Sequence, residues 1–219
     1  MSLKTKPTFE PDCRQCPRLA DFLDQVADSH PDYHARPVPA FGDTDARLLI
    51  VGLAPGMHGA NATGRPFTGD YAGILLYQTL FDFGYASRAE SLACDDGLVL
   101  RGVRITNAVK CLPPQNKPQL DEVRNCNGYL RAEILDLPDP AVVLALGKLA
   151  HDAVLRALGQ KLSAFPFGHA RVHRPDESLT LVDSYHCSRY NTQTRRLTPE
   201  MFTHVFDIAG AMLDGTDSH

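Results

Sequence analysis

Four short apolar segments, rich in β-branched residues, constrain the fold of this chain more than any other feature. They alternate with stretches whose apolar residues recur every three or four positions, which is the spacing of an amphipathic helix. Strands that alternate with helices form a parallel sheet with helices on both faces. The sequence therefore predicts an α/β fold, a three-layer α/β/α sandwich around a central, mostly parallel four-stranded sheet, with strands at residues 47–53, 103–109, 141–146 and 179–185.

The helical segments carry their own signals. One precedes the first strand, and another follows it with Ile74, Tyr77 and Phe81 on the face predicted to point inward. The last helix opens at Thr198, a residue type that caps helix N-termini, followed by proline. The stretch 29–44 is rich in Pro, His and Asp and is predicted to be a connecting loop.

Length and charge bound the class of protein. A chain of 219 residues favours one domain over residues 1–219, and its net charge of −4 argues neither for nor against nucleic acid. The sequence has no apolar run long enough to cross a bilayer, and its first seven residues lack the apolar stretch of a secretory signal. We expect a cytoplasmic protein without a membrane span. Its local basic patch contains Arg189, Arg195 and Arg196.

Six cysteines are too few for a disulfide scaffold in a chain of this size. Cys13 and Cys16 form a CxxC pair, while Cys111 and Cys126 form a wider second pair. Four thiolates suit either a 4Fe–4S cluster or a structural zinc ion. Zinc modules usually have two close pairs, so the spacing favours iron–sulfur. A redox-active or accidental CxxC is the third interpretation, although a thioredoxin-like motif would follow a strand and this pair precedes all four.

A glycine-rich loop, residues 52–70, follows the first strand. Glycines allow backbone amides to approach a ligand closely. A phosphate-binding Walker A loop would end in Gly-Lys-Ser/Thr, and a dinucleotide fingerprint needs G-x-G-x-x-G, but neither pattern is present. Phe67 has the flat ring needed to stack on a base, and Asp70 precedes a predicted helix, where an acid is also favoured by the helix dipole.

Together these motifs resemble the iron–sulfur uracil-DNA glycosylases, specifically the branch called family 5. Gly-Leu-Ala-Pro-Gly at 52–56 and Gly-Arg-Pro-Phe-Thr-Gly-Asp at 64–70 are similar to that family's first motif. Ser-Tyr-His-Cys-Ser-Arg-Tyr-Asn-Thr-Gln-Thr at 184–194 is similar to its second, where Pro or Val more often stands at the position of Cys187. The resemblance runs from Cys13 to about residue 206. It implies a 4Fe–4S cluster on Cys13, Cys16, Cys111 and Cys126, with an N-terminal helical segment, residues 10–40, tied to it.

The resemblance also implies the chemistry. Cleaving an N-glycosidic bond leaves positive charge on the sugar and negative charge on the base, and fixed groups that stabilise these charges lower the barrier. Most of the superfamily carries an acid or Asn in the first motif, where this chain has Ala54, as family 5 does. The implied catalytic residues are therefore Asp70, Asn116 and His186.

The residues expected to bind the base lie in the first motif and at the end of the second strand. Asn107 resembles a family 4 residue that reads the edge of uracil and that family 5 members often lack, so we expect a preference for uracil over hypoxanthine. Its amide offers the donor and the acceptor that uracil's edge requires. The predicted base-binding residues are Gly52, Leu53, Ala54, Gly56, Phe67 and Asn107, and the predicted DNA-binding residues are Arg65, Arg189, Tyr190 and Arg195.

The implied function is excision of uracil, with hypoxanthine and xanthine as further candidates, from single- or double-stranded DNA after base flipping. We expect a monomeric enzyme. Two alternatives remain at this point. One is an iron–sulfur nucleic-acid-binding protein without activity, which Ala54 keeps open. The other is a nucleoside hydrolase, against which the basic segment after His186 argues, because a free nucleoside needs no row of arginines.

Overall fold

A computed structural model of the protein describes residues 8–215. The start of the chain, on which the expectation about a secretory signal depends, lies outside these residues. A six-stranded sheet has the order β1-β3-β2-β4-β6-β5. The strands are β1 Phe41–Gly42, β2 Leu48–Gly52, β3 Val103–Asn107, β4 Ala141–Leu146, β5 Val172–His173 and β6 Leu179–Ser184. The helices are α1 Pro17–Ser29, α2 Ala60–Thr63, α3 Tyr71–Asp82, α4 Leu120–Leu135, α5 Lys148–Ala157, α6 Arg189–Gln193 and α7 Pro199–Leu213.

The four predicted strands form the parallel centre of the sheet, β3-β2-β4-β6. The sheet nevertheless has six strands and not four, because β1 and β5 add a short antiparallel edge on each side. β1 lies inside the stretch 29–44 that was predicted to be only a loop. Each edge strand has two residues, too few for any alternating pattern to appear in the sequence.

The three-layer arrangement is confirmed by the way successive strand residues divide between two cores. Leu49 and Val51 pack with apolar residues of α1, α4 and α5, whereas Leu48 and Ile50 pack with those of α3 and α7. Side chains alternate across a strand, so a strand covered on both faces is apolar at every position. The near-continuous apolar runs in the sequence have this cause.

The predicted inward face of α3 is wrong at two of its three residues, Ile74 and Phe81, and right at Tyr77. Ile74 is 67% exposed and Phe81 is 46% exposed, while Leu76 and Leu80 are fully buried beside Tyr77. The predicted cap of the last helix is confirmed, since the Thr198 side chain accepts from the Met201 N–H at 3.2 Å.

The loops that follow β2, β3 and β6 leave the same edge of the sheet, because these strands are parallel. After β2 the chain forms β3 on one side of β2, whereas after β4 the next parallel strand, β6, lies on the opposite side of β4. The strand order therefore reverses between β2 and β4, and α/β proteins commonly bind ligands at such a topological switch point. In the part of the chain that the structure describes, no helix is both long and apolar enough to span a bilayer.

Candidate active site

A cavity of about 380 Å³ opens at this edge of the sheet. It is built from the first-motif loop after β2, the ends of β3 and β6, and the turn before α4. The structure therefore brings together eight residues that the sequence singled out. They are Leu53, Ala54, Gly56, Phe67, Asp70, Asn107, Asn116 and His186.

Asn107 ends β3 beside Gly52, the last residue of β2. A Cβ on Gly52 would lie 2.5 Å from Asn107 Oδ1 and 2.7 Å from Phe67 Cζ, so only glycine allows both side chains to sit over this position. The Asn107 side chain is 3% exposed, and its Nδ2 has no acceptor among residues 8–215. An unpaired buried donor at a cavity wall is costly unless a ligand pairs with it. Asn107 therefore offers a hydrogen bond to a cavity ligand.

Phe67 lines the cavity in a conformation that its surroundings impose. Its φ of 55° lies in the left-handed region that non-glycine residues rarely adopt. The segment is held where it meets α3, because a Cβ on Gly73 would lie 1.8 Å from the Phe67 carbonyl oxygen. The Phe67 ring stacks with the ring of His186 at a centroid distance of 6.0 Å. An aromatic face thus lies inside the site, on a residue with a strained backbone.

Asp70 is the N-cap of α3. Its Oδ1 accepts from the Gly73 N–H at 2.9 Å, while Oδ2 faces the first-motif loop, 3.8 Å from where a Cβ on Gly56 would stand. Burial raises the pKa of Asp70, and hydrogen bonds from the Gly73 and Ala72 amides oppose the rise. One carboxylate oxygen is thus engaged by the helix, and the other remains on the side of the cavity.

His186 lies two residues after β6, and its backbone is held from both sides. The Asn191 amide donates to the His186 carbonyl at 2.8 Å, and an added Cβ on Gly147 would be 3.5 Å from the His186 Cβ. Burial lowers the pKa of His186 to about 4. The ring is therefore neutral near pH 7, with one N–H to donate.

Asn116 reaches the cavity from a short 3₁₀ turn, Pro114–Asn116, ahead of α4. Gln115 and Asn116 both have positive φ, 56° and 57°. Both residues thus lie in the left-handed region, which residues other than glycine rarely adopt. The sequence pattern identified Asn116 through its place in the motif, while the strained turn became visible only in the structure.

Arg65 does not lie on a surface that DNA can contact. It is 4% exposed, and its guanidinium donates to Asp96 Oδ1 at 2.8 Å, Ser91 Oγ at 3.0 Å and the Cys94 carbonyl at 2.6 Å. With its donors directed at internal acceptors, Arg65 ties the first motif to the loop at 83–102. The predicted DNA-binding role is therefore at odds with the structure.

The other predicted DNA-binding residues lie at the surface beside the cavity. Arg189, Tyr190 and Arg195 are exposed, Tyr190 by 70%. The first two belong to the short helix α6. The Arg189 guanidinium lies over the Tyr71 ring at 5.0 Å, next to Asp70 in sequence. A cation and two aromatic rings thus stand together at the rim.

Cys13, Cys16, Cys111 and Cys126 line one small cavity of their own. None of the four is in a disulfide, and they reach this cavity from the segment before α1, the loop after β3 and α4. The Asn125 Nδ2 points at Cys16 Sγ at 3.5 Å, a hydrogen bond of the kind that surrounds iron–sulfur clusters. The all-sulfur donor set fits a thiolate-bound cluster or metal ion. Cys94 is exposed and Cys187 is buried, both apart from this set.

Sequence reasoning missed several residues of the site. Ser188, which caps α6, also lines the main cavity, as do Ala60 and Ala72. Ser188 falls within the second motif and its position there was the available signal. The two alanines carry no chemical signal, because they contribute only the shape of the wall.

The sequence of this chain is similar to those of known uracil-DNA glycosylases. The family model of the uracil DNA glycosylase superfamily matches residues 39–209. A Type-5 uracil-DNA glycosylase of Thermus thermophilus is 48% identical over 88% of this chain and 90% of its own length. A second, from Pyrobaculum aerophilum, is 43% identical over 91% of this chain and 88% of its own.

A solved structure, wild-type SMUG2 of Pedobacter heparinus, superposes with a TM-score of 0.52 at 12% identity. It covers 95% of this chain and 94% of its own. At that identity the likeness concerns the fold alone. The sequence matches carry the assignment further, since they span most of both chains. The protein belongs to the uracil-DNA glycosylase superfamily, and the relatives most similar to it here are Type-5 enzymes.

Proposed function

We propose that this protein is a uracil-DNA glycosylase of base-excision repair, which hydrolyses the N-glycosidic bond of uracil flipped out of DNA. One observation carries the proposal: a single cavity gathers a carboxylate, a neutral imidazole, an aromatic face and an unpaired buried amide donor. Each has a use in removing a base, and family membership supplies the reaction. Ala54 stands where most of the superfamily has an acid or Asn in the first motif, so these other groups carry the chemistry.

The base is held by stacking on its face and by hydrogen bonds to its edge. Phe67 offers a ring at the cavity wall, and flat bases stack on aromatic rings. The free Nδ2 of Asn107 donates to a uracil carbonyl, and its Oδ1 accepts from the N3–H. Leu53 and Gly56 close the pocket around the base, while Gly52 leaves room for Asn107. The cavity thus favours a planar imide.

Bond cleavage separates charge, and two side chains are suited to stabilise it. As the C1′–N1 bond breaks, its electron pair moves to the base, and the neutral His186 N–H donates to the base oxygen where charge accumulates. The Asp70 carboxylate stabilises the positive sugar and accepts a proton from the attacking water. Asn116 orients that water. The water oxygen bonds to C1′, and the base leaves as its anion.

DNA is proposed to approach over the rim formed by α6. Arg189 and Arg195 supply positive charge for phosphates, and the Tyr190 ring, which is exposed, enters the gap left by the flipped nucleotide. A base inside the stack cannot reach the cavity, so single-stranded or duplex DNA must present it extruded. We further propose that the enzyme is cytoplasmic and acts as a monomer.

The four clustered cysteines are proposed to hold a 4Fe–4S cluster. Their common cavity, the Asn125 hydrogen bond to sulfur and the resemblance to iron–sulfur glycosylases support this choice over zinc. A cluster there joins the segment at 10–40 to α4 and to the loop that follows Asn107. Its proposed contribution is structural, within one glycosylase domain spanning residues 1–219.

Protein purified without air should be yellow-brown and contain about four iron and four sulfide per chain, the stoichiometry of a 4Fe–4S cluster. Cys126→Ser, which removes a ligand on α4, should lower both. Cys94→Ser is the matched control, since that thiol is exposed and apart from the site. One equivalent of zinc without iron in the anaerobic protein would replace the cluster assignment by a zinc site.

The activity itself is tested by two substrates in parallel. The protein should release uracil from an oligonucleotide that contains one deoxyuridine and should leave free deoxyuridine intact. Equal hydrolysis of the free nucleoside would support the nucleoside hydrolase instead. Binding of the oligonucleotide without release would support a non-catalytic DNA-binding protein.

Asn107→Ala should reduce excision of uracil more than excision of hypoxanthine. The variant leaves the edge of a buried base without its partner, which costs about 1–3 kcal/mol, and the larger purine presents a different edge. Single-turnover rates on both substrates, for wild type and variant, give the ratio. Equal losses on both bases would mean that Asn107 only supports the loop around Gly52.

A further inference from the structure

Three buried ionisable side chains form a network outside the cavity, on α5, β5 and β6. His151 and His173 are 1% and 7% exposed, and Asp183 is fully buried. Asp183 Oδ1 lies 2.7 Å from His151 Nδ1, and its Oδ2 lies 2.9 Å from His173 Nε2. The function proposed above makes no use of them, although Asp183 is three residues from His186.

Both ring nitrogens of His151 have a partner inside the protein. Its second ring nitrogen, Nε2, lies 2.8 Å from the carbonyl oxygen of Phe165, which can only accept. Asp183 Oδ2 also accepts from the Gly168 N–H at 3.2 Å, so both carboxylate oxygens are engaged. His151 therefore links the Phe165 carbonyl to Asp183 through its two ring nitrogens.

A metal ion is the other arrangement that two imidazoles and a carboxylate at this spacing can form. Ligand atoms around a tetrahedral zinc ion are about 3.3 Å apart, given bonds of about 2.0 Å. The two contacts to Asp183 are shorter, at 2.7 and 2.9 Å, and leave no space for an ion between the partners. The geometry favours direct hydrogen bonds.

The network holds the loop at residues 165–170. Phe165 and Gly168 bond to it directly, and the backbone N–H of Ala170 donates to the Asp183 carbonyl at 2.8 Å. The same loop carries His169, whose Nδ1 accepts from the backbone N–H of Tyr185 at 3.1 Å. The loop at 165–170 therefore contacts Tyr185, the residue immediately before His186.

Two interactions join His169 and Tyr185, the hydrogen bond and a stacking of their rings. Their rings stack at a centroid distance of 4.8 Å and an interplanar angle of 11°. The hydrogen bond needs an unprotonated Nδ1 on His169. Burial, together with the nearby His204, lowers the pKa of His169 and favours that state.

We propose that His169 is a positioning residue for His186, and that the network of His151, Asp183 and His173 fixes His169 by holding the loop at 165–170. The inference rests on the proposed role of His186 in catalysis. His169 touches neither the base nor the reacting atoms. It sets the backbone direction immediately before His186, while Asn191 holds the carbonyl immediately after the side chain.

Two variants of His169 separate its hydrogen bond from its stacked ring. His169→Phe keeps a ring and removes the acceptor, while His169→Asn keeps an acceptor oxygen near the place of Nδ1. Under single turnover at saturating enzyme, His169→Phe should slow uracil release by roughly 10-fold, within what a misplacement of about 1 Å can cost. DNA affinity should be unchanged, and His169→Asn should stay within about threefold of wild type.

His186→Ala, assayed alongside, distinguishes the two failures. A normal rate in His186→Ala would remove the proposed role of His186. A slow His186→Ala with a normal His169→Phe would leave that role intact and overturn the positioning by His169. Equal losses in His169→Phe and His169→Asn would overturn the hydrogen bond as the cause.

The network is tested by the coupling between variants and by metal content. Asp183→Asn, or the milder His173→Phe if the first does not fold, should slow release and add little to His169→Phe, because both act on one element. Additive losses would overturn the coupling, and one equivalent of zinc that is lost in His173→Phe would replace the direct hydrogen bonds by a metal site.

Discussion

Asp70→Ala and His186→Ala should each slow uracil release by roughly 10²-fold or more, the scale observed when one preorganised electrostatic group is removed from an active site. The expectation rests on two features of the cavity. Asp70 is the carboxylate that lines it, in a first motif that has Ala54 at the usual acidic position. His186 is neutral because burial lowers its pKa to about 4, so it can donate without carrying charge into the free site. Single-turnover release from a uracil-containing oligonucleotide measures both.

Loss of the helix cap must be separated from loss of the charge at Asp70. Asp70→Asn keeps an oxygen that can accept from the Gly73 N–H and removes only the charge, so it should be nearly as slow as Asp70→Ala. Thr198→Ala removes a comparable cap from α7, a helix that contributes no residue to the lining of the cavity, and should retain normal rates. Normal release by folded Asp70→Ala and His186→Ala would show that catalysis depends on other residues.

The sequence was most informative where one geometric rule joins distant motifs. Asn107 and His186 stand at or just beyond the ends of strands that are 5 and 6 residues long. Their apolar runs identified these strands, and parallel strands bring their carboxyl ends to one edge. The convergence of the site could therefore be predicted before any contact was known. The cavity wall at Ala60 and Ala72 could not, because alanine has no chemical signature.

Errors arose where long-range contacts decide the outcome. Ile74 and Phe81 share helical spacing with Tyr77, but Leu76 and Leu80 are the residues buried beside Tyr77. Residues recur with the same period on every face of a helix, so spacing alone does not show which face packs against the sheet. An arginine in a glycine-rich loop suggests an exposed cation. Its acceptor, Asp96, lies 31 residues away in a loop without a recognisable motif. The burial of Arg65 could be found only in the folded chain.

Arg65→Met should lower the stability of the protein by about 3 kcal/mol, the low end of the range for removing one partner of a buried ion pair. The two side chains are only 5% and 10% exposed, and methionine keeps much of the arginine volume while leaving Asp96 without its cation. For a chain of this length the loss corresponds to a fall of roughly 6–12 °C in the midpoint of thermal unfolding. Thermal unfolding followed by circular dichroism measures it.

The expected loss of stability is at the low end of the range because, without Arg65, Asp96 still accepts hydrogen bonds from three backbone amides. Burial acts to raise its pKa, but hydrogen bonds from Arg65 and from the amides of Leu92, Ala93 and Leu98 outweigh it, and the pKa lies well below its usual range. A depressed pKa means that the pair stabilises the fold fully above the unfolded value, about 3.9. The contribution is lost as the pH falls below that value, so the gap between wild type and Arg65→Met should narrow toward pH 3.

An exposed ion pair supplies the control for this prediction. Arg36 and Asp12 lie 3.4 Å apart with side chains 66% and 78% exposed, and pairs of this kind contribute little because solvent screens them. Arg36→Met should therefore leave the midpoint almost unchanged. Arg65→Met should also slow uracil release, because Arg65 anchors the segment that holds Phe67 and Asp70 at the cavity. A stable Arg65→Met with reduced DNA affinity would contradict the anchoring role and return Arg65 to the DNA-binding surface.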